Sequence, residues 1–297
     1  MRAADLEAGS LQASVLTLRN WLAAATALLD NVGVRDARIA AEWLAMAALG
    51  MDRAGLYARL GETLSVEAAA RLSVWLDRCR AREPVAYIVG EREFWSRAFT
   101  ITPAVLVPRP ETEHVVEAAV DCFPEGRTGE AVRVCDVGTG SGCIAVSLAC
   151  EWPRAFVLAT DVSLPALRVA RRNAQRHGVV DRMYFVCSHA LDGLSPASLD
   201  LVVANPPYLT TEEWNRAEPE LRWEPRLALD GGADGLDVVR AIVEGARRAL
   251  RPGGWLILEV GATQAQRVEA LLREAGMERG FVRHDLAGWP RVIAARN

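Results

Sequence analysis

The sequence predicts an α/β fold with a mostly parallel sheet, preceded by a small helical domain. Three observations predict it. From residue 131 onward, apolar runs of strand length alternate with stretches of helical period. The first of those strands leads through "DVGTGSG", residues 136–142, into a helix. Residues 17–80 carry helical spacing alone. Alternation of strand and helix places helices on both faces of a parallel sheet. A chain of 297 residues has room for two such domains.

The elements follow in order. Residues 1–15 read as a loose leader; Asp5 and Glu7 and the lack of a long apolar core argue against a signal peptide. "LRNWLAAATALLDNVG" is a helix stopped at Gly33, and "DARIAAEWLAMAALG" a second, with Asp36 as N-cap and Gly50 as stop. "SVEAAARLSVWLDRCRAR" opens on Ser65, carries Glu67 in its first turn and ends before Glu83-Pro84. Residues 1–84 are therefore expected to form a helical domain. Residues 85–110, rich in β-branched and aromatic side chains and punctuated by Gly90 and Pro103, read as a β-hairpin linker. A helix over 112–122 opens the remaining domain, 111–297. Its strands are expected at 132–137, 155–161, 182–187, 199–204, 254–260 and about 290–295, with helices near 141–151, 163–177, 236–250 and 263–275.

Composition narrows the function. The formal charge is −4, so no general electrostatic footprint for nucleic acid exists, although a local basic groove stays open. All 34 basic residues are Arg, a bias of composition that carries no functional argument. The six Cys form no C-x-x-C, and no His has metal-ligand spacing, so no metal is expected and the thiols are expected reduced in a cytoplasmic protein. "WLAAATALL", residues 21–29, is too short to span a bilayer.

Two stretches carry chemistry. Gly138, Gly140 and Gly142 let the backbone approach a ligand, and the helix opening near Ser141 offers free N–H groups to an anion. Cys143 stands where a dinucleotide fingerprint needs Gly or Ala, and no Walker loop exists. Asp161, ending the next strand, can accept both hydroxyls of a ribose. Asp136 can meet an ammonium group. A ligand with ribose, carboxylate and amine fits S-adenosylmethionine. In "LVVANPPYLT", residues 201–210, a buried strand ends on Asn205, Pro206, Pro207 and Tyr208. The carbonyl oxygens of Asn205 and Pro206 can accept two N–H bonds from a planar NH₂ group, prolines bring no competing N–H, and Tyr208 can stack on a flat substrate.

With these residues in place the sequence resembles the class I methyltransferases acting on planar nitrogen, and more narrowly the peptide-chain release factor glutamine methyltransferases. "REPVAYIVGEREFW" (82–95), "VLVPRPETE" (105–113), "EPRLALDGGADGLD" (224–237), "LRPGGWLILEVG" (250–261) and "DLAGWPRV" (285–292) carry the resemblance beside "DVGTGSG" and "NPPY". It implies a Rossmann-like, mostly parallel seven-stranded sheet, a helical N-terminal domain that docks substrate, and a hairpin linker. It implies methyl transfer from S-adenosylmethionine to the glutamine of the Gly-Gly-Gln motif in class I release factors. By family pattern Gly138, Thr139, Gly140, Ser141, Gly142 and Asp161 hold the cofactor, and Asn205 to Tyr208 hold glutamine. The same pattern places Arg109 and Glu111 near the cofactor cleft. The family commonly has a polar-aromatic pair near the adenine; here His189-Ala190 stands there, which leaves Ala190 at that place without the ring. A glutamine methyltransferase of a ribosomal large-subunit protein is the near rival, and this chain keeps "PETE" after the linker "PR" where that group differs. An adenine-specific nucleic-acid methyltransferase shares "NPPY" but needs a target-recognition region and a basic groove. A binder that had lost activity would not be expected to keep Asn205, Asp161 and all three turn glycines.

Overall fold

The computed structural model describes residues 16–297 except 125, 127, 128 and 130, so the expected leader lies outside the described residues. The chain divides into two compact units at the Val89/Gly90 boundary. Among the described residues no helix is long and apolar enough to cross a membrane.

The first unit is helical: α1 (Leu18–Asn31), α2 (Ala37–Leu49), α3 (Arg53–Ala58), α4 (Val66–Arg80) and α5 (Val85–Val89). Leu18, Leu22, Leu29, Leu44, Leu56 and Leu72 close its core, and their helical spacing is what the sequence displays. The side chains of Thr17, Asp52 and Ser65 accept hydrogen bonds from backbone N–H groups of the first turns they precede. Asp36 differs from expectation. It precedes α2 in the left-handed region, φ 54°, and makes no side-chain cap. Gly50 ends α2 at φ 63°. The buried Glu42 accepts from Tyr57 Oη at 2.6 Å and pairs with Arg38 at 2.6 Å and Arg53 at 3.0 Å. Burial alone would raise its pKa, but those hydrogen bonds outweigh it and hold the carboxyl below its usual range.

The stretch expected to begin the hairpin at 85 is helical instead. Pro84 presets the helical φ at its start, the N–H groups of Tyr87 and Ile88 bond its carbonyl, and Ala86, Tyr87 and Ile88 are buried. Burial of that face overrides the strand preference of Val85, Ile88 and Val89.

In the second unit β1 (Glu91–Phe94) and β2 (Arg97–Thr100) form an antiparallel hairpin. Trp95 and Ser96 turn it with φ of 50° and 55°, the pair of positive values that a two-residue turn matched to strand twist requires. Then follow α6 (Glu113–Cys122), β3 (Arg133–Val137), α7 (Cys143–Glu151), β4 (Phe156–Asp161), α8 (Leu164–Arg176), β5 (Met183–Cys187), β6 (Leu199–Ala204), α9 (Thr211–Asn215), α10 (Asp237–Ala249), β7 (Leu250–Glu259), α11 (Ala265–Glu274), β8 (Glu278–His284) and β9 (Pro290–Arg296). The seven-stranded sheet has the order β5-β4-β3-β6-β7-β9-β8. Pairing is parallel from β5 to β7, and β9 runs antiparallel to both β7 and β8. β6 is buried throughout, which explains its nearly unbroken apolar run. Its one acid, Asp200, accepts from the Arg133 backbone N–H at 2.7 Å and pairs with the Arg133 and Arg251 side chains. β8 is the seventh strand, which the resemblance implies and the residue pattern does not locate. It is an edge strand whose charged residues, Glu278, Arg279, Arg283 and His284, mask the strand pattern while guarding the edge.

The glycine turn fixes how α7 meets α8. Gly142 has φ 79°, and a Cβ there would lie 3.0 Å from Ala170 Cβ and 3.1 Å from Ala170 Cα. Gly138 also has positive φ, yet a Cβ there would meet nothing within 4 Å. Gly138→Ala should cost only the backbone strain, about 1–2 kcal/mol. Gly142→Ala adds a clash against backbone and should lower the thermal midpoint of the ligand-free protein clearly further. Equal midpoints for the two variants would contradict this packing role for Gly142.

Candidate active site

Parallel register brings four strand ends into one row. Val137 of β3 lies beside Thr160 of β4 and Ala204 of β6, and Ala204 lies beside Leu258 of β7. One residue further along stand Gly138, Asp161, Asn205 and Glu259. Sheet order departs from β3 in opposite directions, through β4 on one side and β6 on the other. The row therefore spans the switch point where open α/β sheets take ligands.

On the β3–β4 side, Gly138 and Gly140 present an open face; a Cβ at Gly140 would meet only the Gly138 carbonyl, at 3.9 Å. Asp161 Oδ2 accepts from the Gly140 N–H at 2.9 Å and Oδ1 from the Ser163 N–H at 2.8 Å. Burial raises the Asp161 pKa and these backbone donors draw it back. Each oxygen retains a lone pair able to take a hydroxyl. Asp136 is 1% exposed, and its Oδ2 accepts from Thr139 Oγ1 at 2.7 Å and the Ala145 N–H at 3.2 Å. It thus ties the turn to the first residues of α7, a job the sequence did not suggest. Its Oδ1 has no hydrogen-bond partner. Burial pushes its pKa up to about 7. Ser141 and Thr139 are buried beneath the turn, and Asn173 of α8 donates to the Ser141 carbonyl at 2.8 Å. The same Asn173 bonds Thr100 through both its amide groups, so the hairpin and the turn share one anchor.

On the β6–β7 side, Asn205 Nδ2 donates to Thr112 Oγ1 at 3.0 Å, which leaves the Asn205 carbonyl oxygen as its outward face. Pro206 is buried, and Pro207 and Tyr208 are half-buried. A cleft here is lined by Leu106, Arg109, Asn205, Tyr208, Leu221 and Leu229 among others. The loop is clamped from behind. Leu209 exchanges backbone hydrogen bonds with Leu229 and Gly231, and Gln264 Nε2 donates to the Tyr208 carbonyl at 2.8 Å. A Cβ at Gly231 would stand 2.5 Å from the Pro207 carbonyl oxygen, and one at Gly235 2.5 Å from that of Tyr208. Gly231 and Gly235 of "DGGADG" are therefore required where backbone meets backbone.

The two residues expected near the cofactor cleft through "PRPETE" have these surroundings. Arg109 pairs with the buried Glu224, whose other oxygen accepts from the Val107 N–H at 3.0 Å, and Arg109 lines the Asn205 cleft. Glu111 is half-buried and acts electrostatically on Tyr208 and Glu259. Both stand on the β6–β7 side because the turn that carries them delivers Thr112 to Asn205. Ala190 is 8% exposed, packs in the core beneath the sheet, and accepts from Thr160 Oγ1 through its carbonyl at 3.3 Å. Its side chain is a packing group, while the neighbouring His189 is exposed beside Asp192. Sequence reasoning missed Thr112, Asn173, Glu224, Glu259 and Gln264. Only the glycine cluster at 231–235 offered a signal, since such a cluster marks close backbone approach.

The residues fit S-adenosylmethionine on observations of this structure. Above Gly138 the turn is open, Asp161 ends its strand with acceptor capacity beside the turn, and the buried Asp136 oxygen lacks a partner. A seven-stranded sheet with this switch point and this pair of sites defines a class I S-adenosylmethionine-dependent methyltransferase. Comparison with known proteins agrees. Residues 20–90 match the PrmC N-terminal domain family and residues 117–218 the methyltransferase small domain family. A methyltransferase from Pyrococcus furiosus shares the fold, with TM-score 0.51 and 17% identity over 77% of this chain and 96% of that one. The release factor glutamine methyltransferase of Geobacter sulfurreducens is 41% identical over 95% of this chain and 97% of its own length. That of Moorella thermoacetica is 44% identical over 94% and 98%. The chain belongs to the release factor glutamine methyltransferase family.

Asp136 makes the site's electrostatics testable. The folded protein holds its proton up to about pH 7, whereas an unfolded chain releases it near 3.8. Between those values the folded state binds more protons, so Asp136 withdraws stability as pH rises through the window. Asp136→Asn should flatten the decline of the thermal midpoint between about pH 4 and about pH 7, leaving the part due to Glu259, which is also raised to about 7. An unchanged slope would contradict this.

Proposed function

We propose that the protein transfers a methyl group from S-adenosylmethionine to the side-chain amide nitrogen of the glutamine in the Gly-Gly-Gln motif of class I peptide-chain release factors. The observation that carries the reading is the Asn205 amide, whose nitrogen is engaged by Thr112 so that its carbonyl oxygen is left to accept. A glutamine amide is a poor nucleophile because its nitrogen lone pair is delocalised. The carbonyl oxygens of Asn205 and Pro206 accept its two N–H bonds, raise the density on nitrogen and hold the lone pair in line. Tyr208 packs on the flat amide. Alignment of this kind supplies up to ~7–11 kcal/mol of a barrier. Methylation leaves the amide nitrogen positively charged, and such an N-protonated amide is a strong acid that gives its proton to water, so no separate strong base is required.

On the cofactor side, Asp161 would accept the ribose hydroxyls, and the turn from Gly138 through Thr139, Gly140 and Ser141 to Gly142 would cradle the amino-acid portion. The bound group supplies a methyl on a sulfonium, which is an excellent leaving group. The helical first unit serves as the docking domain for the protein substrate. A release-factor substrate places the protein in the cytoplasm, and the reading carries neither a stable nucleic-acid partner nor a membrane.

Transfer of tritiated methyl to purified release factor, to DNA and to ribosomal subunits tests this. Only release factor should be labelled, and replacing its Gly-Gly-Gln glutamine should remove the label; labelled DNA or ribosomal protein beside unlabelled release factor would overturn the assignment. Asn205→Ala leaves a polar NH₂ unpaired, at a cost of roughly 1–3 kcal/mol before misalignment is added. Turnover should collapse while cofactor affinity barely changes. Near-normal turnover would remove Asn205 from its role.

A further inference from the structure

We propose that Thr112 and Glu259 are positioning residues that lock the Asn205 side-chain amide with its carbonyl oxygen toward the substrate. The inference rests on the reading of Asn205 as an acceptor for the carboxamide and deepens it.

An Asn amide can sit in two orientations of nearly equal shape. One presents an acceptor and the other two donors. Turned the wrong way, Asn205 would face the NH₂ of its substrate with donors of its own. What selects the orientation is the partner behind it. That partner is Thr112, 2% exposed, at the end of the Pro110–Thr112 turn. A hydroxyl has one proton and can face a neighbour either as donor or as acceptor. By itself Thr112 would tolerate both orientations of Asn205.

Glu259 removes the choice. It is the last residue of β7, 2% exposed, and the parallel register of β6 with β7 sets it beside Asn205. Thr112, held on Asn205, stands close enough for its hydroxyl to lower the Glu259 pKa. An ionised carboxylate only accepts. A Thr112 proton drawn to this carboxylate leaves the hydroxyl oxygen to accept from Asn205. The acceptable donor is Nδ2, as the 3.0 Å contact has it. The order of donors runs Asn205 to Thr112 to Glu259, and the Asn205 carbonyl oxygen is left outward. The second carboxyl oxygen, Oε2, has no hydrogen-bond partner. A buried acid kept under those terms calls for a reason, and setting the direction of this chain supplies one.

The device responds to pH. Burial pushes the Glu259 pKa up to about 7, the Thr112 hydroxyl draws it down, Glu111 raises it, and Arg291 and Arg109 lower it. Tyr208, in the loop after β6, and Cys143, at the start of α7, also interact with it electrostatically. Protonated, Glu259 can itself donate to Thr112, whose proton is then free to turn toward Asn205 and reverse the amide. Turnover should accordingly fall as pH drops through about 7.

The test measures kcat and KM for release factor, cofactor affinity by calorimetry, and the pH profile, on the full chain. Thr112→Val keeps the shape and removes the hydroxyl; kcat should fall about 100-fold, the scale of a small misplacement. Cofactor affinity should stay within about twofold, since the cofactor does not meet this amide, and KM should change far less than kcat, since one amide is a small part of a protein substrate's contact. Thr112→Ser should restore most of the loss, which a purely steric role would not require. Glu259→Gln should lower kcat and erase the acid limb of the profile. Thr112→Val within about twofold of the parent, a Ser variant as poor as Val, or an acid limb unchanged in Glu259→Gln would each overturn the proposal. If Glu259→Gln does not fold, the Val and Ser variants of Thr112 decide the matter between them. Asn205→Ala, run in parallel, separates the two levels. Retained turnover there overturns the underlying reading of the site, whereas its loss beside an active Thr112→Val overturns the positioning role alone.

Discussion

The parallel pairing of β3 with β4 on one side and β6 on the other is the constraint on which this site depends. Backbone register alone places Gly138 next to both Asp161 and Asn205, and Asn205 next to Glu259. No side-chain contact could do this as economically, because each residue belongs to a different crossover of the chain. Parallel strands are joined by helices, so all their carboxyl ends emerge at the same edge. The crevice is a consequence of that topology. The buried apolar residues of β3 and the buried, nearly unbroken apolar run of β6 hold the register by which its two halves meet.

Around that frame the polar groups divide into those that face a ligand and those that aim them. Asp161 and the carbonyl of Asn205 keep acceptor capacity at the crevice. Asp136, Asn173, Thr112 and Gln264 stand behind, each bonded to the backbone or side chain of a facing element. Buried groups of this sort are costly unless satisfied, and their hydrogen bonds convert that cost into direction. The two raised carboxyls, Asp136 and Glu259, lie in this rear layer and each leaves one oxygen without a partner. They are where the protein carries electrostatic strain.

Glycines serve two separate purposes within a few ångströms. Gly138 and Gly140 bend the turn and keep its outer face clear, while Gly142, Gly231 and Gly235 let elements touch where any side chain would intervene. The "NPPY" loop shows why both kinds are needed. Its prolines stiffen it along its length, and close backbone contact with the 231–235 segment fixes it from behind. Neither device would suffice for a group that must be held to a fraction of an ångström.

The division of the chain into helical and α/β parts, the order of the strands' apolar runs and the identity of "DVGTGSG" and "NPPY" were legible in the sequence, because period and turn chemistry are local properties. Where local preference met burial, reading failed. The β-branched stretch Val85–Val89 became helix, and the charged edge strand β8 went unseen. Asp36 resembled a cap but adopted a backbone conformation from which its side chain could not act as one. The pairing of Arg109 with Glu224 and the core packing of Ala190 carry no mark in the local sequence. The tertiary structure alone decided that Thr112, from the turn before α6, meets Asn205 after β6 and Glu259 at the end of β7. Hydrogen-bond direction depends on which donors and acceptors come within three ångströms of one another, and residues 93 apart in the chain carry no local mark of that meeting.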